Sequence, residues 1–245
     1  MSETEVAAEP EPGQRSGRRP WVVGVSGASG TPYAAAAIEA LLDAGEAVDL
    51  VVSRAARLTL IDETGVAFRD GTWRADLAAW LGREPADPAF DAVRYWAAGD
   101  FAAGPSSGSY PVKGMLVIPA STGSVAGISL GLSKDLLQRA AEVNLKERRP
   151  LVIVVRETPL TTATLEQLVS LSRAGAVVLP ASPGFYAGAA AVQQLVDFVA
   201  GKALDALGVR HGLLRRWAGN LGVARVEGGA GTAEGSGMEA HVAAE

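Results

Sequence analysis

Residues 146–160 read KERRPLVIVVRETPL, and Leu151 to Val155 within them form an unbroken apolar, mostly β-branched run. A strand wetted on one face alternates polar and apolar side chains, whereas an unbroken run is the pattern of a parallel strand buried on both faces. The run ends on two opposite charges, Arg156 and Glu157, ahead of Thr158 and Pro159, and Lys146 and two arginines stand just before it. Charges after a core strand can be the punctuation of a solvated loop. They can equally be a site, because ligands of open α/β sheets sit at the carboxyl ends of strands.

Working outward, the same grammar recurs. WVVGVSG (21–27) reads as a strand followed by a helix over Tyr33–Ala44, and AVDLVVS (47–53) as a strand followed by a helix from Ala55 onward. MLVIPA (115–120) and AVVLPA (176–181) are further apolar runs, each followed by a plausible helix. This alternation predicts an α/β fold, a parallel sheet with helices on both faces. The rhythm breaks between Val66 and Pro111, where Trp73–Leu81 predicts a short helix, FDAVRYW (90–96) an extra strand, and GDFAAGPSSGSYP (99–111) a long loop. Residues 1–19 and 225–245, rich in Glu, Gly, Pro or Ala, predict a disordered arm and tail around a domain of residues 20–224.

Composition excludes several function classes. A net charge of −5 gives no electrostatic reason to expect nucleic acid. With no cysteine, disulfides and thiolate chemistry are excluded, and the only histidines, His211 and His241, leave no set for a metal centre or a core Ser-His-Asp triad. No metal is expected. Two uncharged stretches, 114–133 and 174–192, approach bilayer-spanning length, but both carry proline and several glycines and read as strand, loop and helix. The N-terminus has no apolar signal region, so a cytoplasmic, non-membrane protein is expected.

Three strand ends carry small hydroxyl residues. In VSGASGTPY (25–33), Gly24, Gly27 and Gly30 permit a tight turn, with Gly24 inside the strand, and Ser29 and Thr31 are available to cap the helix. Such a turn serves a plain strand-to-helix connection or an anion site equally well. In IPASTGSVAG (118–127), Pro119 is expected to stop the strand, and Ser121, Thr122, Gly123 and Ser124 offer amides and hydroxyls to a polar ligand or simply cap a helix. Ser53 ends a third strand. Arg139 and Lys146, seven residues apart in SKDLLQRAAEVNLKERRP (133–150), fall on nearly one helix face. They read as a solvated face or, with Arg156 and Glu157, as a cationic cradle beside one carboxylate, suited to an anionic substrate and a proton. Tyr186 follows a proline–glycine turn, Lys202 lies on the closing helix, and Trp217 ends LLRRW.

Taken in order, SGASGTPYA, ASTGS, LLQRAAEVNLKERRPLVIVVRETPL, GAVVLPASPGFY and LDALGV resemble the UbiX-type flavin prenyltransferases over roughly Val22 to Trp217. The resemblance implies a flavodoxin-like Rossmann fold, a dodecameric homo-oligomer, and metal-free transfer of a dimethylallyl group from dimethylallyl phosphate to N5 and C6 of reduced FMN. It also implies that the prenylated FMN passes to a UbiD-type decarboxylase. Carried over by position, Gly27, Ala28, Ser29, Ser53, Ser121, Thr122, Gly123, Ser124 and Arg139 bind FMN. Lys146, Arg156, Tyr186 and Lys202 hold the prenyl phosphate, and Trp217 closes the site by stacking. The implied catalytic set is Glu157 as the acid for the departing phosphate, Glu63 working with Ser29 on flavin proton transfer, and Lys146. The chain departs from the family in three places. Lys202 replaces a usual arginine, keeping charge without bidentate geometry; Glu142 replaces an aspartate, read as a surface change; and residues 66–98 fit poorly. Two other readings are a flavin-dependent decarboxylase of the same superfamily, which uses a core histidine absent before His211, and a non-catalytic FMN carrier, which would not need Lys146, Arg156, Glu157 and Tyr186 together.

Overall fold

The structure, a computed structural model, describes residues 18–184 and 190–214. The arm before Arg18, the tail from 225, Tyr186 and Trp217 lie outside the described residues. Six strands, β1 (Trp21–Val25), β2 (Val48–Val52), β3 (Val93–Ala97), β4 (Gly114–Ala120), β5 (Leu151–Val155) and β6 (Val177–Pro180), form one parallel sheet in the order β3-β2-β1-β4-β5-β6. Without the edge strand β3, the remaining order is the 2-1-3-4-5 of flavodoxin-like sheets, so β3 is an addition to that plan.

The four inner strands are buried at every residue, as their unbroken apolar runs require. Side-chain alternation then divides the core in two. Val23, Leu50, Leu116, Val152 and their face-mates pack under α1 (Thr31–Asp43), α2 (Arg54–Thr64), α3 (Trp73–Leu81) and α7 (Val192–Ala206). Val22, Val51, Met115, Ile153 and theirs pack under α4 (Thr122–Ser129), α5 (Leu136–Lys146) and α6 (Thr162–Arg173). Among the described residues no helix is long and apolar enough to cross a membrane, and residues 114–133 resolve into β4 and α4.

Two local expectations need correction. Helix α1 begins at Thr31 with Pro32 in its first turn, where a missing N–H costs nothing, two residues ahead of the expected start. Pro119 does not stop β4, which continues to Ala120. The register against β5 shifts between Val117 and Ala120, so the proline falls at an irregularity where its missing donor is not needed. Within the poorly matching segment, α3 forms over the expected residues, and Arg57, Asp70 and Tyr95 interlock over the sheet edge beneath Trp73.

β1 and β4 are sequence-distant neighbours whose connections leave toward opposite faces, so the crevice between their carboxyl ends is the place where this topology puts a ligand. The seam there is sewn by Ser26, whose fully buried hydroxyl donates to the Pro119 carbonyl at 2.9 Å and accepts from the Ser121 amide at 2.7 Å. Ser26→Ala strands the Ser121 amide and leaves the Pro119 carbonyl only the Ser26 amide, at 3.2 Å; we expect it to cost about 1–3 kcal/mol, read as a lower urea midpoint with an unchanged m-value. A loss below about 0.5 kcal/mol would mean that the seam does not depend on this hydroxyl.

Candidate active site

The crevice is built from the ends of β1, β2, β4 and β5. After β1 the chain turns through Gly27, where a Cβ would overlap the Cβ of Ala55 at the start of α2. Only glycine lets this loop lie on the α2 N-terminus, where buried Ser53 caps the helix by accepting the Ala56 amide at 3.1 Å. Gly30, at φ 113°, is the N-cap of α1, and its side of the turn faces the Tyr33 ring.

Neither Ser29 nor Thr31 caps α1 with its side chain, contrary to the expectation from sequence. The cap arrives from the far end of α2. One oxygen of Glu63 accepts the Gly30 amide at 2.8 Å, and the other accepts the Thr31 amide at 2.8 Å and the Thr31 hydroxyl at 2.6 Å. Burial pushes this carboxyl group up, but hydrogen bonds from Ser29, Thr31 and the two amides outweigh it and hold the group below the ordinary carboxylate range. Glu63 is therefore an anion seated on the positive end of α1, and it occupies amides that a bound phosphate could otherwise use. The N-terminus of α4 differs. Ser121 accepts the Ser124 amide at 3.3 Å, and Gly123 is exposed with open space where a side chain would be. Ser121, Thr122 and Gly123 thus face the crevice end of β4 as an uncovered polar turn.

Arg156, immediately after β5, leans across β4 to donate Nε to the Ser29 carbonyl at 2.9 Å. Glu157 is exposed and accepts the Thr158 amide at 2.9 Å. Among the described residues these two neighbours form no ion pair, so the arginine is held by the β1 loop rather than by the adjacent acid. Within one chain the structure brings together Gly27, Ala28, Ser29, Ser53, Glu63, the Ser121–Ser124 turn, Arg156 and Glu157.

The expected cradle of Arg139, Lys146 and Arg156 does not form within one chain. Helix α5 runs against the strands: Leu136 donates its amide to Ala98, just past the carboxyl end of β3, whereas Pro150 follows α5 and meets the start of β4. Lys146 is therefore at the amino edge of the sheet, paired with Glu147, and Arg156 at the carboxyl edge. Five strand residues lie between those edges, a span of roughly 16 Å. Arg139 lies between, donating Nε to the Ser106 carbonyl at 3.1 Å and pairing with Glu142 at 3.2 Å. Glu142 is half-buried and also accepts the Ser133 hydroxyl, so it orients Arg139 and is more than a surface change. Lys202 is exposed on α7 with no ion pair among the described residues. Sequence reasoning missed Ser26, and it read Gly30 and Thr31 as turn and cap residues without the Glu63 carboxylate that they bind; the small residues of SGASGT were the available signal.

The Glu63 cap carries a pH signature. Because its folded pKa is lowered, its stabilisation is fully present above the unfolded value near ~4.3 and is lost as pH falls below that value through the folded one. Glu63→Gln should lower stability at pH 7 by about 0.3–1 kcal/mol and flatten the decline between about pH 4.5 and 3. Identical wild-type and variant slopes in urea melts across that window would contradict the assignment.

The model of a family described as Flavoprotein matches residues 9–204. The chain is 68% identical over 215 residues to a flavin prenyltransferase UbiX of Streptomyces coelicolor, covering 85% of this chain and all of that one. It is 38% identical to the flavin prenyltransferase UbiX of Pseudomonas aeruginosa over 82% of this chain and 95% of that one. Among solved structures it is similar to AnUbiX (PadA1) in complex with FMN and dimethylallyl pyrophosphate, at TM-score 0.72 and 34% identity over 83% of this chain and 100% of that chain. It is also similar to a dodecameric FMN-dependent UbiX-like decarboxylase from Escherichia coli O157:H7, at TM-score 0.69 and 36% identity over 82% of this chain and 100% of that chain. An α/β sheet with its polar crevice at the β1–β4 seam, and kinship of this extent, make the chain a member of the UbiX flavin prenyltransferases within the flavoprotein family.

Proposed function

We propose that the crevice binds reduced FMN and dimethylallyl phosphate side by side, and that Arg156 is the joint between them. The observation that carries this is the Arg156–Ser29 bond: a guanidinium from the β5 end is anchored on the loop assigned to the flavin. A prenyl phosphate offers an anionic head and an apolar chain. When its C–O bond breaks, the electron pair leaves with the phosphate and the allyl fragment becomes cation-like. Arg156 would meet the developing charge on the phosphate, and the adjacent, exposed Glu157 would supply a proton. The fixed Glu63 carboxylate would hold the Ser29 hydroxyl against the flavin, with Ser53 and the Ser121–Ser124 turn as further polar contacts. Tyr186, Lys202 and Trp217 are assigned to the phosphate pocket and its aromatic cover by the family resemblance alone.

Lys146 reaches such a site only from another copy of the chain, since its own copy places it at the opposite sheet edge. Assembly is supported by exposed Leu130, Leu132, Leu165, Val169 and Val177, just after α4, on α6 and on the edge strand β6, and by the dodecameric relative. We infer a cytoplasmic homo-oligomer, by analogy a dodecamer, that passes prenylated FMN to a UbiD-type decarboxylase. The histidine-based decarboxylase reading finds no support among the described residues. His211 is buried at the side of α7, bonded to Asp205 at 3.1 Å and to the Leu213 amide at 3.1 Å.

Mixing copies tests the shared cradle. Lys146→Ala and Arg156→Ala should each lose most prenyl transfer while still folding. Co-assembled from equal amounts, the two variants should recover roughly a quarter of wild-type sites by random assortment, if each site draws these residues from different copies. No recovery in confirmed mixed oligomers would return both cations to one chain or remove Lys146 from the site.

A further inference from the structure

A buried acid with no part in the crevice lies under the long loop. Asp49, the second residue of β2, is 2% exposed. It sits beside Arg94 in the β2–β3 register, on the sheet face that carries Val51 and Trp96. The Tyr110 hydroxyl, the Trp96 indole and Arg94 surround its carboxylate. Yet its Oδ2 and the Trp96 Nε1 are both buried without a hydrogen-bond partner of good geometry. Beside them is a cavity of about 30 Å³, lined by Asp49, Arg94, Tyr110 and Arg18. That volume can hold one water, with polar groups to bind it.

A carboxylate so placed costs folding energy, and an apolar residue would fit the strand pattern around it. What it touches is specific. Tyr110 meets Trp96 edge-to-face at 6.4 Å, and its ring covers Gly104, where a Cβ would lie 2.5 Å from the nearest ring atom. Arg149 binds the Gly108 and Tyr110 carbonyls at 2.6 and 3.1 Å. From the same loop the Ser106 carbonyl holds Arg139, a residue assigned to FMN. Gly108 in turn packs against Lys146.

We propose that Asp49 is a positioning residue, which through Tyr110 sets the 104–110 loop and hence the direction of the Arg139 guanidinium. This rests on the FMN assignment of Arg139 made above. Burial, opposed by Tyr110, Trp96 and Arg94, pushes the Asp49 carboxyl up to about 6. The charged and titratable groups around it are Arg94, Tyr110 and, across the cavity, Arg18. Above that pH the covered anion is costly, and opening the loop to water relieves it; below it, the neutral carboxyl group still bonds Tyr110 and the loop is held more firmly. The pKa is raised in the covered state and returns toward its ordinary value when the loop opens, so protons favour the covered state and loop order should rise on acidification.

The test compares wild type, Asp49→Asn and Tyr110→Phe between pH 5.5 and 8. Hydrogen exchange of residues 99–111 is followed without ligand, and FMN affinity is measured in parallel. The wild type should gain about tenfold in loop protection and in FMN affinity as pH falls through about 6. Asp49→Asn, neutral at every pH, should sit at the tighter value throughout, with no inflection. FMN's own phosphate titration is common to both proteins and cancels in their ratio. Parallel curves for the two proteins overturn the proposal, as does a loop that responds while FMN affinity does not. If Asp49→Asn fails to fold, Tyr110→Phe decides alone: unchanged loop protection overturns the proposal. If no protein binds FMN at all, the site assignment itself has failed, and the exchange data still show whether Asp49 holds the loop.

Discussion

The structure depends on the seam between β1 and β4. There the connections part toward opposite faces, and one hydroxyl, that of Ser26, ties the Pro119 carbonyl to the Ser121 amide. A parallel sheet has no hairpin to close this gap, and unpaired backbone groups at a buried seam are costly. Holding the two strand ends together sets the β1 loop and the α4 turn on either side of one crevice. Arg156, one strand further on, can then reach back across β4 to Ser29.

Polarity in this crevice is divided between groups already satisfied and groups left open. The α1 N-terminus, the obvious anion site in the sequence, is filled by Glu63. Its role is to lock the loop and fix a negative charge beside Ser29. The α4 turn and the remaining donors of Arg156 are the positive side. A fixed anion on the β1 loop and a cation at the β5 end form an electrostatic gradient suited to a reaction that separates an anionic phosphate from a cation-like fragment.

Much of this was legible in sequence. Unbroken runs such as LVIVV can be buried only from both faces, and their alternation with helices implies the parallel sheet. The quoted motifs identified the crevice loops and the family. What was not legible depends on contacts across the chain. Spacing placed Arg139 and Lys146 on one helix face but could not show that α5 carries Lys146 away from Arg156. A cap supplied by Glu63 from 33 positions away leaves no local trace at Gly30. Pro119 reads as a breaker until the irregularity that tolerates it is seen. Asp49 in VDLVV looks like ordinary strand polarity until its burial is known.

The most direct test of the central claim is the mass of the protein-bound flavin after anaerobic incubation with reduced FMN and dimethylallyl phosphate. The account predicts a flavin heavier by one five-carbon prenyl unit, formed by the wild type and strongly slowed in Arg156→Ala. An unmodified flavin, with both substrates shown to be bound, would contradict it.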